Sequence, residues 1–347
     1  MRAPVETPET PLALLRMTDG LVVHQALCAV ATLGIADLLN AGERSAAALA
    51  SALDVNEDAL YRALRFLSGQ GVFREIRSRT FVNTPLSDYM RSDALGSIRP
   101  VLIFRGSRYY FSPFTEFLYS LQTGVPAREK VLGKGVFDYL RADPEAEQVF
   151  DEAMTAISAL WAPAIAATYD FGRWETLTDV GGGNGALLAA ILRAHPTLCG
   201  VLADAPSVVD RARRREFLSG DLTARVRFEP CDFFRSIPSG SRVYLMKNII
   251  HDWNDAQACE ILRNVRRAVP DDGVLVLVEY CLGKDNMPSV GKTVDLVMLT
   301  ITGGKERTLD EHRALLTTAG FQLSRSIPVS PGIVIIEALP SKGARLL

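Results

Sequence analysis

The sequence predicts an α/β chain: a mostly parallel sheet with one antiparallel edge hairpin fills its C-terminal half, behind a mainly helical N-terminal domain. Three observations carry this. After Phe171, short apolar runs (TLTDV, CGVLAD, VRFEP, VYLMKN, GVLVLVE) alternate with helical segments (ALLAAILRAH, APSVVDRARR, AQACEILRNVRRAV, LDEHRALLTTA). That βαβ succession implies parallel strands covered on both faces. FQLSRSIPVS and GIVIIEAL, joined through Ser330-Pro331-Gly332, read as a hairpin on the sheet edge. Near the N-terminus, two capped helices followed by two short strands give the order of a winged helix.

Taken in order, residues 1–11 (MRAPVETPETP) read as a disordered lead, acidic and proline-rich rather than a signal peptide. From Leu12 to Leu39 apolar residues recur at helical spacing with few charges, so this helix needs cover from its own domain or from a partner chain. Ser45 caps AAALASAL, and Asn56 caps EDALYRALRFL, which Gly69 and Gly71 end. VFREI and FVNT form the two strands of the wing, and residues 12–98 make one domain. As a DNA reader this domain is poor: its second helix offers only Arg62 and Arg65 beside Tyr61, and its wing Arg74, Arg77 and Arg79. It reads instead as a dimerisation scaffold. Residues 99–170 are helical and dense in aromatics, including Phe104, Tyr109, Tyr110, Phe111 and Phe150, which suits one wall of a pocket for a flat apolar ligand. Residues 171–347 hold the sheet.

The formal net charge of −2 offers no general attraction to nucleic acid or anionic membrane. Five dispersed cysteines without a CxxC pair read as free thiols in a reducing cytoplasm. No apolar run approaches the roughly 20 residues that span a bilayer.

LTDVGGGNGALLAAIL is strand, glycine turn, helix. Gly181, Gly182, Gly183 and Gly185 let the backbone turn sharply and approach a ligand, and the helix N-terminus beyond offers unpaired N–H groups. The spacing Gly181-x-Gly183-x-x-Ala186, with Asp204 ending the next strand where it can meet a ribose, also satisfies a loose dinucleotide pattern, so NAD stays an alternative. Three features favour S-adenosylmethionine. Asp179 precedes the glycines, where a carboxylate suits an ammonium and a sulfonium better than a pyrophosphate. Asp232 follows the third strand, within reach of an adenine amino group. The auxiliary domain lies before the sheet.

The set TDVGGGNG, LADAP, CDFF, MKNIIHDW, LVEY and GGKERT, in that order, resembles the S-adenosylmethionine-dependent small-molecule O-methyltransferases. Within them it is similar to the branch of plant caffeate-type enzymes, hydroxyindole O-methyltransferase and bacterial antibiotic O-methyltransferases. The resemblance spans nearly the whole chain. It implies a Rossmann-like class I methyltransferase sheet and an N-terminal domain that builds a homodimer. It places Gly181 against the cofactor, Asp204 on the ribose hydroxyls, Asp232 and Phe233 around the adenine, and Lys247 in the cofactor's surroundings. It makes His251 the general base with Glu279 and Glu306 as its acidic flank, and it puts Phe150, Met154 and Met298 along the acceptor pocket. Phe233 stands where many relatives carry Met, and the linker from Glu279 to Glu306 is shorter than in the plant enzymes.

The chemistry has use for these residues. A phenol with a pKa near 10 is mostly neutral at pH 7. A neutral imidazole can take its proton, an effect typically worth about 10²–10⁴ in rate. His251 falls at the carboxyl end of a parallel strand, with Glu279 ending the next and able to orient the ring. Asp252 accepts a hydrogen bond from the acceptor or merely caps the following helix. No third or fourth ligand is expected around any carboxylate cluster, so no metal site and no metal-dependent catechol methyltransferase mechanism is expected. The expected function is therefore methyl transfer to a phenolic hydroxyl of a small aromatic secondary metabolite, leaving S-adenosylhomocysteine. The alternatives are other S-adenosylmethionine chemistry on the same fold (hydroxylation or decarboxylation), a winged-helix regulator, and an NAD-dependent reductase.

Overall fold

The computed structural model describes residues 10–330 and 332–341 and divides into two compact units, Met1–Phe111 and Ser112–Leu347. The lead expected over 1–11 thus falls outside the described residues up to position 9, as does the hairpin residue Pro331.

The first unit is mainly helical. The single helix expected from Leu12 to Leu39 is three: α1 (Pro11–Thr18), α2 (Gly20–Thr32) and α3 (Ile35–Leu38). Asp19 ends the first, and Gly34 breaks the second with a left-handed φ of +68°, which favours glycine. β1 (Arg44–Ser45) precedes α4 (Ala46–Leu53), and α5 (Glu57–Gly69) follows. Ser45 accepts from the Ala48 N–H and Asn56 from the Ala59 N–H, the expected caps. β2 (Phe73–Arg77) and β3 (Thr80–Asn83) form the wing, with β1 as a short third strand in the order β1-β3-β2. α6 (Pro85–Asp88), α7 (Arg99–Gly106) and α8 (Arg108–Phe111) complete the unit. Its core is Val30, Ile35, Leu49, Leu64, Leu67, Phe73 and Phe81.

The apolar face of α1 and α2 lies open, from 54% exposed at Leu21 to 76% at Met17. The 22 residues Pro11–Thr32 are by length and composition apolar enough to cross a membrane, which corrects the reading that no run comes near that length.

The second unit opens with α9 (Phe117–Thr123), α10 (Ala127–Leu132), α11 (Val136–Ala142) and the long α12 (Pro144–Thr168), which Asp143 caps from the Ala146 N–H. Then come β4 (Thr176–Val180), α13 (Ala186–Ala194), β5 (Cys199–Asp204), α14 (Pro206–Ala212), β6 (Val226–Pro230), β7 (Val243–Lys247), α15 (Asp255–Ala268) and β8 (Val274–Tyr280). α16 (Val290–Ile301), α17 (Leu309–Thr318), β9 (Phe321–Ser330) and β10 (Ile333–Pro340) close it. The sheet order is β6-β5-β4-β7-β8-β10-β9: the first five strands run parallel, and the hairpin β9–β10 adds antiparallel to β8. α16 was not read from the sequence. Its signal is Ser289, whose side chain accepts from the Lys292 N–H, ahead of the pattern VGKTVDLVMLTI.

Separate apolar clusters cover the two faces of the sheet. Leu177, Leu202, Leu245 and Val276 face α12 and α13, whereas Tyr244, Met246, Leu275 and Leu277 face α15 and α17. Burial on both faces makes these strands continuous apolar runs, which is why they were legible. The carboxyl ends of β4, β5, β7 and β8 share one edge, and strand order reverses between β4 and β7, where ligands of open α/β sheets bind.

Candidate active site

The turn after β4 shows why it is built of glycine. Gly181 and Gly185 have φ of +71° and +81°, and a Cβ on either would stand 2.4 Å from a side-chain carbon, of Ile249 and Leu218 respectively. Gly183 is also left-handed (φ +55°), but nothing lies within 4 Å of where its Cβ would be. Its backbone is open to a ligand.

Asp204, ending β5, accepts from the Gly183 N–H through Oδ2 at 2.9 Å and from the Ala205 N–H through Oδ1 at 2.7 Å. Burial raises its pKa, against the pull of those two donors. Asp179 in β4 is buried, and its Oδ2 has no hydrogen-bond partner. Burial first, then the charge of Asp204, push its pKa up to about 7, with Lys247 opposing. Lys247 ends β7 and donates to Ser158 Oγ of α12 at 3.4 Å; burial brings its pKa down to about 8 against the attraction of Glu279 and Asp179.

α12 roofs this edge. Asn184 donates through Nδ2 to Thr155 Oγ1 at 2.8 Å, while its buried Oδ1 is unpaired. Arg211 of α14 fastens the helix through Asp151 at 2.6 Å and Glu147 at 2.8 Å. Phe150 and Met154 are half-buried on α12, one turn apart, and Met298 is buried on α16. Asp232 is exposed after β6, its Oδ1 accepting from the Phe234 N–H at 3.0 Å. Phe233 packs edge-on against Trp253, ring centroids 6.0 Å apart.

Beyond Lys247 the chain turns sharply. Asn248 takes a left-handed φ of +53°, a conformation asparagine tolerates, and a single 3-10 turn, Ile250–Asp252, follows before Asn254 caps α15. This turn presents His251, which is 8% exposed. Glu306, in the loop between α16 and α17, accepts from His251 Nδ1 at 2.6 Å. Glu279 does not orient the ring as expected. Its Oε1 accepts from the Ile249 and Ile250 N–H groups at 3.3 and 3.1 Å, so it holds the backbone of the turn. Asp252 Oδ1 lies 3.9 Å from His251 Nε2.

Burial opposes charge on His251, but Asp252, the hydrogen bond to Glu306 and the charge of Glu279 raise its pKa to about 9. Burial raises Glu279 to about 7 and Asp252 to about 6, each resisted by His251. The expectation that no third ligand gathers around a carboxylate cluster is not met: donor atoms of His251, Glu279 and Glu306 all lie within 4.8 Å of one another. One oxygen on each glutamate is already hydrogen-bonded, while both Oε2 atoms are buried and unpaired.

Within GGKERT, Glu306 alone was expected at the site, yet its neighbours take part. Gly304 packs so tightly that a Cβ would stand 2.0 Å from the His251 carbonyl, and Asp295 of α16 accepts from the Glu306 N–H at 2.9 Å. Arg307 is 1% exposed and bonds around the His251 turn. His312 is buried with both ring nitrogens unpaired, and burial lowers its pKa to about 4.

An open glycine cradle, an unpaired buried carboxylate and an acid on the next strand fit a nucleoside cofactor that carries positive charge, the site of a class I methyltransferase. The chain matches the O-methyltransferase domain over residues 118–322 and the O-methyltransferase dimerisation domain over 15–93. It is 40% identical to the phenazine O-methyltransferase PhzM of Lysobacter antibioticus over 329 residues, 94% of this chain and 95% of the relative. It is 34% identical to the mitomycin biosynthesis 6-O-methyltransferase of Streptomyces lavendulae, covering 95% and 97%. Among solved structures it superposes on LaPhzM with a TM-score of 0.91 at 39% identity, covering 95% of this chain and 100% of that one. It also superposes on NcsB1 from neocarzinostatin biosynthesis, in complex with S-adenosylmethionine and 2-hydroxy-5-methyl naphthoic acid, with a TM-score of 0.80 at 33% identity, covering 92% and 96%. The protein belongs to the O-methyltransferase family, and its cofactor is S-adenosylmethionine.

Proposed function

We propose that the protein methylates a phenolic hydroxyl of a small aromatic secondary metabolite, with His251 as general base. The observation that carries this reading is the 2.6 Å pairing of His251 Nδ1 with Glu306, which leaves Nε2 as the nitrogen able to take the acceptor's proton. When bound, S-adenosylmethionine supplies an electrophilic methyl group on a positively charged sulfonium. Asp179, Gly181, Gly183 and Asp204 hold it, with Lys247 nearby and Phe233 and Asp232 at the adenine. The pKa of His251, raised to about 9 in the ligand-free site by Asp252, Glu306 and Glu279, falls beside a cation, which favours the neutral ring a base needs. Glu306 keeps the ring in one tautomer and Glu279 keeps its turn in place, so the chain's main contribution is positioning, an effect worth up to roughly 7–11 kcal/mol in favourable cases. Phe150, Met154 and Met298 line the acceptor pocket, and Asp252 stands beside the base.

The names of a phenazine O-methyltransferase and of a structure holding 2-hydroxy-5-methyl naphthoic acid support an aromatic acceptor. We read residues 12–98 as the dimerisation part, 99–170 as the helical part reaching the acceptor and 171–347 as the cofactor part. The open apolar face of α1 and α2, within a matched dimerisation domain, supports a homodimer. Five free cysteines support a cytoplasmic setting.

One relative, an 8-amino-8-demethylriboflavin N,N-dimethyltransferase of Streptomyces davaonensis at 33% identity, favours an amine as the second reading. A panel of hydroxylated and aminated phenazines, naphthoates and quinones with methyl-labelled cofactor decides. Label on phenolic oxygen is the expected result; label only on nitrogen contradicts it.

A further inference from the structure

The turn that carries His251 is too short to hold itself. A single 3-10 turn has poor hydrogen-bond geometry, and here it follows a left-handed residue at the end of a strand. Arg307 stands behind it. Its Nη1 donates to the Ile250 carbonyl at 3.0 Å and its Nη2 to the Trp253 carbonyl at 2.9 Å, so one guanidinium spans the residues on either side of the His251–Asp252 pair. Its Nε and Nη2 also bond Asp255 Oδ1 at 3.0 and 2.9 Å, at the first position of α15.

Arg307 is itself fixed to the sheet: its carbonyl accepts from the Leu282 N–H at 3.0 Å, and it bridges to Cys281 just past β8. On the same segment the Lys305 N–H donates to the His251 carbonyl at 2.9 Å, and Gly304 leaves no room for a side chain there.

We propose that Arg307 is the positioning residue for the general base: Glu306 holds the ring, and Arg307 holds the backbone that aims it. The proposal rests on the reading of His251 as base. A stability role alone accounts poorly for the arrangement. Burying a guanidinium against one carboxylate that is itself mostly exposed carries a large desolvation cost that the ion pair only partly offsets. The planar fork matters as well, since a lysine ammonium cannot serve two carbonyls and a carboxylate in one plane.

The test uses the full-length protein saturated with S-adenosylhomocysteine, in Arg307→Lys and Arg307→Gln variants. The primary readout is the far-downfield proton resonance of His251 Nδ1–H, assigned by its loss in His251→Asn. Cofactor-product affinity, thermal unfolding and a kcat-against-KM split on a phenolic acceptor accompany it. A folded variant is expected to bind S-adenosylhomocysteine within about twofold, to shift or lose the resonance, and to lower kcat by about 10²-fold with KM little changed, the scale of an ångström misplacement. An unmoved resonance with lost stability alone overturns the proposal, as does failure of both variants to fold. Asp255→Asn must leave the resonance in place; if it moves it equally, the ion pair and not the carbonyl clamp positions the turn. If His251→Asn keeps full turnover, the base reading fails, while the resonance still decides what Arg307 does.

Discussion

Asp179→Asn separates the cost of the cofactor site from its benefit. In the ligand-free fold the carboxyl is buried with Oδ2 unpaired, and its pKa stands at about 7 against an ordinary 3.8. Its folded pKa lies above the unfolded one, so between those values the native state binds the extra proton. Stability therefore falls as pH rises from about 4 to about 7 and is level above. A gap of about 3 pH units corresponds to about 4 kcal/mol at 1.36 kcal/mol per unit. An amide in that place remains buried and partly unpaired, which costs about 1–3 kcal/mol. The variant is thus expected to be about 1–3 kcal/mol more stable than the parent at pH 8, with little or no gain at pH 4.

Binding reverses the order. The cofactor's ammonium favours the ionised carboxylate, so S-adenosylhomocysteine raises the unfolding temperature of the parent more than that of the variant. Thermal unfolding at pH 4, 6 and 8, with and without S-adenosylhomocysteine, measures both effects. Calorimetric titration in buffers of different ionisation enthalpy reports the proton that Asp179 releases. A variant less stable at every pH by the same amount, and stabilised equally by the ligand, would refute the reasoning.

Three further outcomes follow from the geometry. Asp204→Ala removes the acceptor of the Gly183 and Ala205 N–H groups and is expected to weaken S-adenosylhomocysteine binding at least tenfold by titration, since charge-assisted hydrogen bonds are worth about 1.5–3 kcal/mol each; unaltered affinity contradicts its role. Gly181→Ala meets both a left-handed φ and Ile249 Cδ1 at 2.4 Å, so chemical denaturation should show a loss of at least about 1 kcal/mol, and a neutral result shows that Ile249 and the backbone relax freely. Leu14→Glu with Met17→Glu on the open face of α1 should convert a dimer to monomer in light scattering; an unchanged mass places the interface elsewhere.

The parallel sheet was legible because its strands are buried on both faces and end in chemistry: Asp179, Asp204, Lys247 and Glu279 each close or nearly close a run of apolar residues. The caps Ser45 and Asn56 were legible because their side chains replace missing backbone partners within three residues. What escaped depends on distance in the chain. Nothing local tells Glu279 from Glu306 as the partner of His251, since they lie 28 and 55 residues away and the fold brings both within 4.8 Å of the other donors. Arg307 escaped for the same reason: its bonds are to backbone carbonyls, which no residue pattern records. The first helical stretch was misread as one helix because apolar periodicity runs on through Asp19 and Gly34, where the backbone turns.

The central claim is that His251 takes the acceptor's proton, and His251→Asn tests it most directly through the pH dependence of kcat/KM alongside S-adenosylhomocysteine affinity. A base works only when neutral, and the pKa of His251 is raised to about 9 in the ligand-free site and brought down by the cofactor's positive charge, so at saturating S-adenosylmethionine parental kcat/KM for the acceptor should climb with pH and level off below about 9. The variant should bind S-adenosylhomocysteine within about twofold, lose about 10²–10⁴ in turnover and lose that climb. Turnover near the parental level with the same pH limb would show that another group takes the proton.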